Sequence, residues 1–389
     1  MRKLLTLLTG CMITLAACAN NTAPEQEAPQ THETTNDGQG AKVYFTKNIT
    51  AESLVKIYEA LGVAPQQGQR VAVKISTGES SSAYYLRPDF IKPLVQKTSG
   101  TIVECNTAYG GNRSTTSAHR DAIRQRGFTE DNGFKTPDIM DADGEVNLPV
   151  SDTKWIQHDI VGAHLLNYDF MIDLAHVKGH QMGGFGGVLK NLSIGVASKS
   201  GKSYIHSAGS STSSPWGNSN QDSFLESMAA AAQAVHNYFK QEGRNIIYIN
   251  VMNNLSVDCD CNGHPAAPQM SDIGILASTD PVALDKACLD LVFDYNSTAG
   301  DTATPLQQRI NGRHGTHIVE YGEQIGLGSQ HYQLIDLDQS SAVNGTRTGT
   351  AQRYNVYSLD GRKLLTNAAS LDGLGKGTYI INGEKRTLE

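Results

Sequence analysis

Residues Asp169 to Ala197 read DFMIDLAHVKGHQMGGFGGVLKNLSIGVA. The stretch opens on an apolar run, Phe170-Met171-Ile172-Asp173-Leu174, of a length that suits one buried strand. Two histidines follow four apart, His176 and His180, on either side of Lys178. Then come Gly183, Gly184, Gly186 and Gly187, and after them Lys190 and Asn191. A buried strand that runs into a polar, glycine-rich loop ahead of a helix is where open α/β sheets place their sites.

Outward from this stretch, strand and helix patterns take turns. On the N-terminal side, Thr50 to Gly62 predicts a helix capped by Thr50, with Leu54, Ile57 and Leu61 on one face. Arg70 to Ser76 alternates like a strand, and Pro88 to Thr98 reads as a helix carrying Pro93 in its middle. A strand at Thr101 to Cys105 and a helix at Thr116 to Arg126 continue the series. Between Asn132 and Asp159 a hairpin or irregular insert is expected around Asp143-Gly144.

On the C-terminal side, Lys199 to Gln221 is rich in Ser, Gly and Asn, includes Trp216, and predicts a long surface loop. Ser223 to Lys240 predicts a helix opened by a Ser223/Glu226 capping box. Strands are expected at Asn245 to Met252 and Asp272 to Ser278, and a helix capped by Asp280 with Pro281 first runs to Phe293. This alternation predicts an α/β fold, a mostly parallel sheet covered by helices, over residues 42–338. After a Ser/Gly/Thr-rich linker (339–353), residues 354–389 alternate at period two with turn signals at Asp360-Gly361 and Asn382-Gly383, which predicts a small antiparallel β module.

A chain of 389 residues with formal charge −7 has room for a large core and no basic cluster to engage nucleic acid. Arg2, Lys3 and the apolar Leu4 to Leu15 form an export signal over residues 1–17. Leu15-Ala16-Ala17-Cys18 reads as a lipobox, so Cys18 is the expected lipidation site and a membrane the expected partner. The polar stretch over 18–41 predicts a disordered tether to the cell envelope. Cys105, Cys259, Cys261 and Cys288 then remain, in a compartment that permits disulfides, with three pairings open.

Candidate chemistry falls in two places. His176, Lys178, His180 and Lys190 are titratable groups packed around the glycines, and are the expected catalytic set. Gly183, Gly184, Gly186, Gly187 and Asn191 let backbone amides approach a carboxylate or phosphate at the following helix start. Asp258-Cys259-Asp260-Cys261 with His264 offers two thiolates and an imidazole, donors that suit iron or zinc. The alternative for Cys259 and Cys261 is a disulfide in a non-catalytic ligand-binding lipoprotein. No nucleophile elbow, Walker motif or dinucleotide fingerprint is present.

Taken together, DFMIDLAHVKGHQMGGFGGVLKNLSIG, the DCDC at Asp258 to Cys261 and SDIGILASTDPVALDKACLDLV from Ser271 resemble the domain-of-unknown-function 362 family. That family is associated with iron–sulfur centres, and many members carry a ferredoxin-like insert of C-x-x-C repeats. The insert falls near Tyr204 to Ser219, where this chain has no cysteine, so only the DCDC element carries over. The order histidine, glycines, lysine is also similar to a loop of nickel-dependent lactate-racemase-like proteins, which implies that His176 or His180 and Lys190 face a small hydroxy acid. The tail resembles the C-terminal sorting modules of type IX secretion.

Overall fold

The computed structural model describes residues 40–79, 81–214, 220–338, 347–349, 354–359, 362–368, 371, 374–381 and 384–388. The stretch expected as an export signal, Cys18, nearly all of the expected tether, Trp216, most of the expected linker and the two expected tail turns lie outside the described residues. In chain order the strands are β1 (Ala41–Thr46), β2 (Val71–Lys74), β3 (Thr101–Glu104), β4 (Asp138–Ile139), β5 (Glu145–Pro149), β6 (His158–Gly162), β7 (Phe170–His176), β8 (Lys178–His180), β9 (Gly184–Gly186), β10 (Asn245–Met252), β11 (Gly274–Ser278), β12 (Tyr332–Asp336) and β13 (Arg347–Gly349). The helices are α1 (Ala51–Ala60), α2 (Pro88–Lys97), α3 (Thr116–Gln125), α4 (Val188–Ser193), α5 (Lys199–His206), α6 (Gln221–Phe239), α7 (Pro281–Phe293), α8 (Thr304–Gly312) and α9 (His317–Gln324).

The large sheet has the order β13-β12-β1-β11-β10-β7-β2-β3-β4. Its half from β10 to β4 is parallel throughout, and antiparallel β11 is inserted between β1 and β10. The apolar runs of the central strands follow from burial on both faces. In β7, Met171 and Ala175 join one core cluster while Phe170, Ile172 and Leu174 join the other. In β10, Ile246, Tyr248 and Met252 alternate in the same way with Ile247, Ile249 and Val251. The chain moves from β2 outward to β3 and β4, then returns to β7 on the other side of β2 and continues to β10. The crevice beyond the C-terminal ends of β2 and β7 is therefore a topological switch point.

The caps follow local chemistry. Thr50 accepts from the Ser53 amide at 3.1 Å, and Asp280 takes the Val282 and Ala283 amides at 2.9 Å each ahead of Pro281. Pro93 is tolerated inside α2 on its exposed face, where water can serve the carbonyl it leaves unpaired.

Three expectations are corrected. Lys199 to His206 is a helix within the stretch expected as loop: Ser198 caps it through the Gly201 amide at 3.1 Å, and Tyr204 and Ile205 bury despite the polar composition. The cap of α6 is Asn220, whose side chain accepts from the Ser223 amide at 2.7 Å; Glu226 instead binds Lys154 and the Trp155 indole. The hairpin in the insert is β5–β6, so Asp143-Gly144 precedes it and does not form its turn.

The tail forms a separate four-stranded antiparallel sheet in which β14 (Tyr354–Tyr357), β15 (Lys363–Ala368), β16 (Gly377–Ile381) and β17 (Glu384–Leu388) stand in the order β15-β14-β16-β17. Among the described residues, no helix is long and apolar enough to cross a membrane.

Candidate functional site

Parallel strands end together at the switch point, and the charged residue that closes each apolar strand is delivered there. Lys74 closes β2, Glu104 closes β3 and His176 closes β7. Lys74 and Glu104 rim a cavity of about 600 Å³ lined also by Glu79, Arg113, His180, Lys190, Lys202 and both cysteines of the DCDC run, and His176 lines a smaller pocket beside it. A charge at the end of a buried strand is costly unless something pairs it, so each partner bears on function.

Glu104 is met from three sides. The Thr77 amide donates to one oxygen, while His119 Nε2 lies 2.8 Å and Arg113 Nη1 3.4 Å from the other. Arg113 Nε also donates to Glu79 at 3.0 Å. Burial alone would raise the Glu104 pKa; the His119 hydrogen bond and charge, then Arg113 and Lys74, outweigh it and hold the carboxyl well below the usual range.

Lys74 and Asp173 are register partners on β2 and β7, both facing α4. Asn191 ties them together: its amide nitrogen donates to Asp173 and to the Lys74 carbonyl, and its oxygen accepts from Lys74 Nζ at 3.1 Å. Burial pushes the Asp173 carboxyl up and the Lys74 amine down. Asn191 therefore orients wall residues and also lines the cavity.

His176 and Lys178 point into a second buried group. Asp260, the residue between the two cysteines, pairs with Lys178 Nζ and lies 3.1 Å from His176 Nδ1. His176 Nε2 donates to the Asn253 carbonyl at 2.6 Å, and its Nδ1 lies 3.1 Å from both Asp260 and Lys178 Nζ. Burial opposes ionisation of Asp260, yet Lys178 and His176 bring its carboxyl down to about 2. Asp258 accepts from Arg309 at 3.3 Å, and the Asp260 carbonyl accepts from the Glu79 amide at 2.9 Å. The two aspartates thus anchor the loop that presents the sulfurs.

The hairpin β8–β9 holds His180 opposite that loop. Gly179 permits the approach: a Cβ there would stand 2.3 Å from the Val257 carbonyl oxygen. One ligand atom each from His180, Cys259 and Cys261 lie within 4.8 Å of one another. In this structure Cys259 and Cys261 are joined as a disulfide. Two thiolates and an imidazole suit a soft cation in kind, and reduction of the pair is the condition for it. His180 Nδ1 accepts the Gly183 and Met182 amides at 2.9 and 3.2 Å, so the ring of the neutral residue carries its proton on Nε2. A cation on this ring has to replace those contacts or that proton, which leaves the sulfurs as the stronger donors.

Of the residues expected from sequence, His180, Lys190, Cys259 and Cys261 meet at one cleft, and His176 and Lys178 stand behind it. His264 is not brought in; it is exposed, its amide donating to Asn262, and His180 takes the place expected for it. The glycines are corrected from ligand cradle to packing device. The amides of Val188 and Leu189 at the start of α4 are both taken by Asp285 at 3.0 Å, so the anion at this helix start is the protein's own. Gly187 is required by the same contact, since a Cβ would fall 2.2 Å from Asp285 Oδ1. Gly184 pairs with His180 and Gly186 with Lys178 across the hairpin, and the Gly183 amide goes to His180.

Sequence reading passed over Lys74, Glu104, Arg113, Lys202 and Asp260. A lone charge closing an apolar strand, as in VAVK and TIVE, was the available signal for the first two. Cys105 lines the cavity as a buried thiol pushed up to about 12 by burial, and Cys288 lies in the core.

The model of a family described as "Domain of unknown function (DUF362)" matches residues 71–290. No curated protein matches the chain in sequence. Among solved structures, a Thermotoga maritima protein is similar with a TM-score of 0.34 at 12% identity, over 56% of this chain and 53% of that one. The lactate racemase apoprotein from Thermoanaerobacterium thermosaccharolyticum is similar with a TM-score of 0.31 at 16% identity, over 54% and 50%. The chain spans about half the length of each.

Proposed function

The chain belongs to the domain-of-unknown-function 362 family, and from that premise we propose that it is an exported enzyme acting on a small anionic substrate in the switch-point cleft, with a soft metal held beside it. The observation that carries this reading is the excess of basic side chains in one cavity. Lys74, Lys190, Lys202 and Arg113 line it, against Glu79 and Glu104, which are both already committed to Arg113. A bound carboxylate or phosphate supplies the counter-charge that the protein withholds. When the sulfurs are reduced, Cys259 and Cys261, with His180 adjoining, are the residues that would hold iron or zinc. Such an ion would supply Lewis acidity toward a substrate oxygen. The chain's own groups then bind the anion, and the walls of the crevice exclude water.

The joined sulfurs favour a second reading, a non-catalytic lipoprotein that binds the same anion over a disulfide. Thiol titration and metal analysis of anaerobically purified protein separate the two. The expected result is two titratable thiols beyond Cys105 and Cys288, with stoichiometric iron or zinc that disappears in Cys259→Ser and Cys261→Ser. Metal-free protein with the pair still oxidised under reductant-free anaerobic purification would favour the binding protein.

On the same proposal Cys18 carries the lipid anchor and the protein faces the cell envelope. Radiolabelled palmitate is expected in the wild type and not in Cys18→Ser. Equal labelling of both proteins would remove the anchor from this position.

A further inference from the structure

Resting on the reading that a small anion occupies this cleft, we propose that Lys190 is a nucleophile that forms an imine with a 2-oxo carboxylate bound there. Each other lysine around the site is committed. Lys178 pairs with Asp260, Lys202 donates to the Ala197 carbonyl, and Lys74 donates to the Ile75 carbonyl and to Asn191. Among the described residues Lys190 Nζ has no hydrogen-bond or ion-pair partner. Its stem runs over Gly186, where a Cβ would touch Lys190 Cδ at 3.6 Å. The residue lines both the main cavity and a smaller pocket of about 60 Å³ against His176, Lys178 and the cysteine pair. A lysine kept only for structure would spend its protons on neighbours; this one is left to the cavity.

Burial first, then the charges of Lys178, Lys74 and Arg113, oppose protonation of Lys190. Lys202 and Arg113 line the same cavity, and their charge draws a carboxylate into it without their giving up those bonds. A carbonyl directly attached to that carboxylate then occupies the cavity that Lys190 also lines. Nζ adds to the carbonyl carbon. Both amine hydrogens leave with the carbonyl oxygen as water, and a C=N bond remains. Nothing is oxidised or reduced in that step.

Incubation of the full chain with pyruvate and cyanoborohydride tests this. The reductant delivers hydride to the imine carbon and leaves a stable secondary amine, which peptide mass mapping locates. The expected result is an adduct concentrated on Lys190, suppressed by acetate, absent from Lys190→Arg, and at least tenfold weaker with acetone, which lacks the acid group. Calorimetric binding of acetate keeps the two readings apart. Acetate binding without an adduct on Lys190 overturns the nucleophile and leaves the anion cleft standing. Neither binding nor adduct overturns both. An adduct spread evenly over surface lysines also overturns the assignment, and since mapping uses the wild type, that outcome does not depend on the variant folding.

Discussion

Asp260→Asn is expected to lower the free energy of unfolding by about 3–5 kcal/mol, the usual loss when one partner of a buried ion pair is removed. The substitution keeps shape and takes away only the charge. Lys178 is then left in a site where 6% of its surface is exposed, with no counter-ion, and His176 Nδ1 loses its acidic neighbour. Asp260 also sits between the joined cysteines, so the loop presenting the sulfurs loosens with it. Urea unfolding at fixed redox state checks the size of the effect, with an unchanged dependence on denaturant showing that the unfolded state is the same. Lys178→Met in the Asp260→Asn background should recover part of the loss, because it removes the stranded charge. A loss under about 1 kcal/mol would mean that the pair is solvated and does not organise the loop.

Glu104→Gln carries the second large effect and a pH signature. Glu104 is 2% exposed and meets Arg113, His119 and the Thr77 amide. Removing its charge is expected to cost about 3–5 kcal/mol at neutral pH. The folded-state pKa lies below the ordinary 4.5, so the unfolded chain takes up the proton first as acid is added. The stabilisation from this carboxylate is complete above about pH 4.5 and is lost progressively below it. The gap in stability between wild type and Glu104→Gln should therefore be flat from neutral pH down to that point and close as the pH falls further. Stability curves for the two proteins over that range give the comparison directly. A gap of constant size down to the acid limit would show that Glu104 contributes through shape and not through charge.

The parts of the fold that could be read from sequence rest on neighbours close in the chain. The apolar runs of β7 and β10 announce strands buried on both faces, and Asp280-Pro281 announces the start of α7, because each signal lies within a few residues of the structure it sets. Reading failed where a polar segment was stabilised from afar. Lys199 to His206 looks like loop, yet α5 forms because Tyr204 and Ile205 find a core that its own composition does not reveal. Glu226 looks like a capping partner for Ser223, yet Lys154 and Trp155, more than 70 residues away, claim it.

The candidate site divides along the same line. Clustered histidines, glycines and cysteines are visible in the chain, and His180, Lys190, Cys259 and Cys261 do reach one cleft. Which of them have free chemistry was not visible. Asp285 reaches the glycine turn from 96 and 97 residues away and fills the helix start that an outside anion was expected to occupy. Asp260 crosses 82 residues to Lys178 and removes that lysine from the list of open cations.

By itself, then, the sequence determined the alternating strand and helix order and the buried character of the central strands, since periodicity and capping act within a few turns of backbone. Only the tertiary structure decided where the crevice opens, which carboxylate neutralises which base, and that the Lys190 amine has no partner among the described residues. Those outcomes depend on electrostatics between side chains brought within a few ångströms by the sheet order, and distance in space is not written in the spacing along the chain.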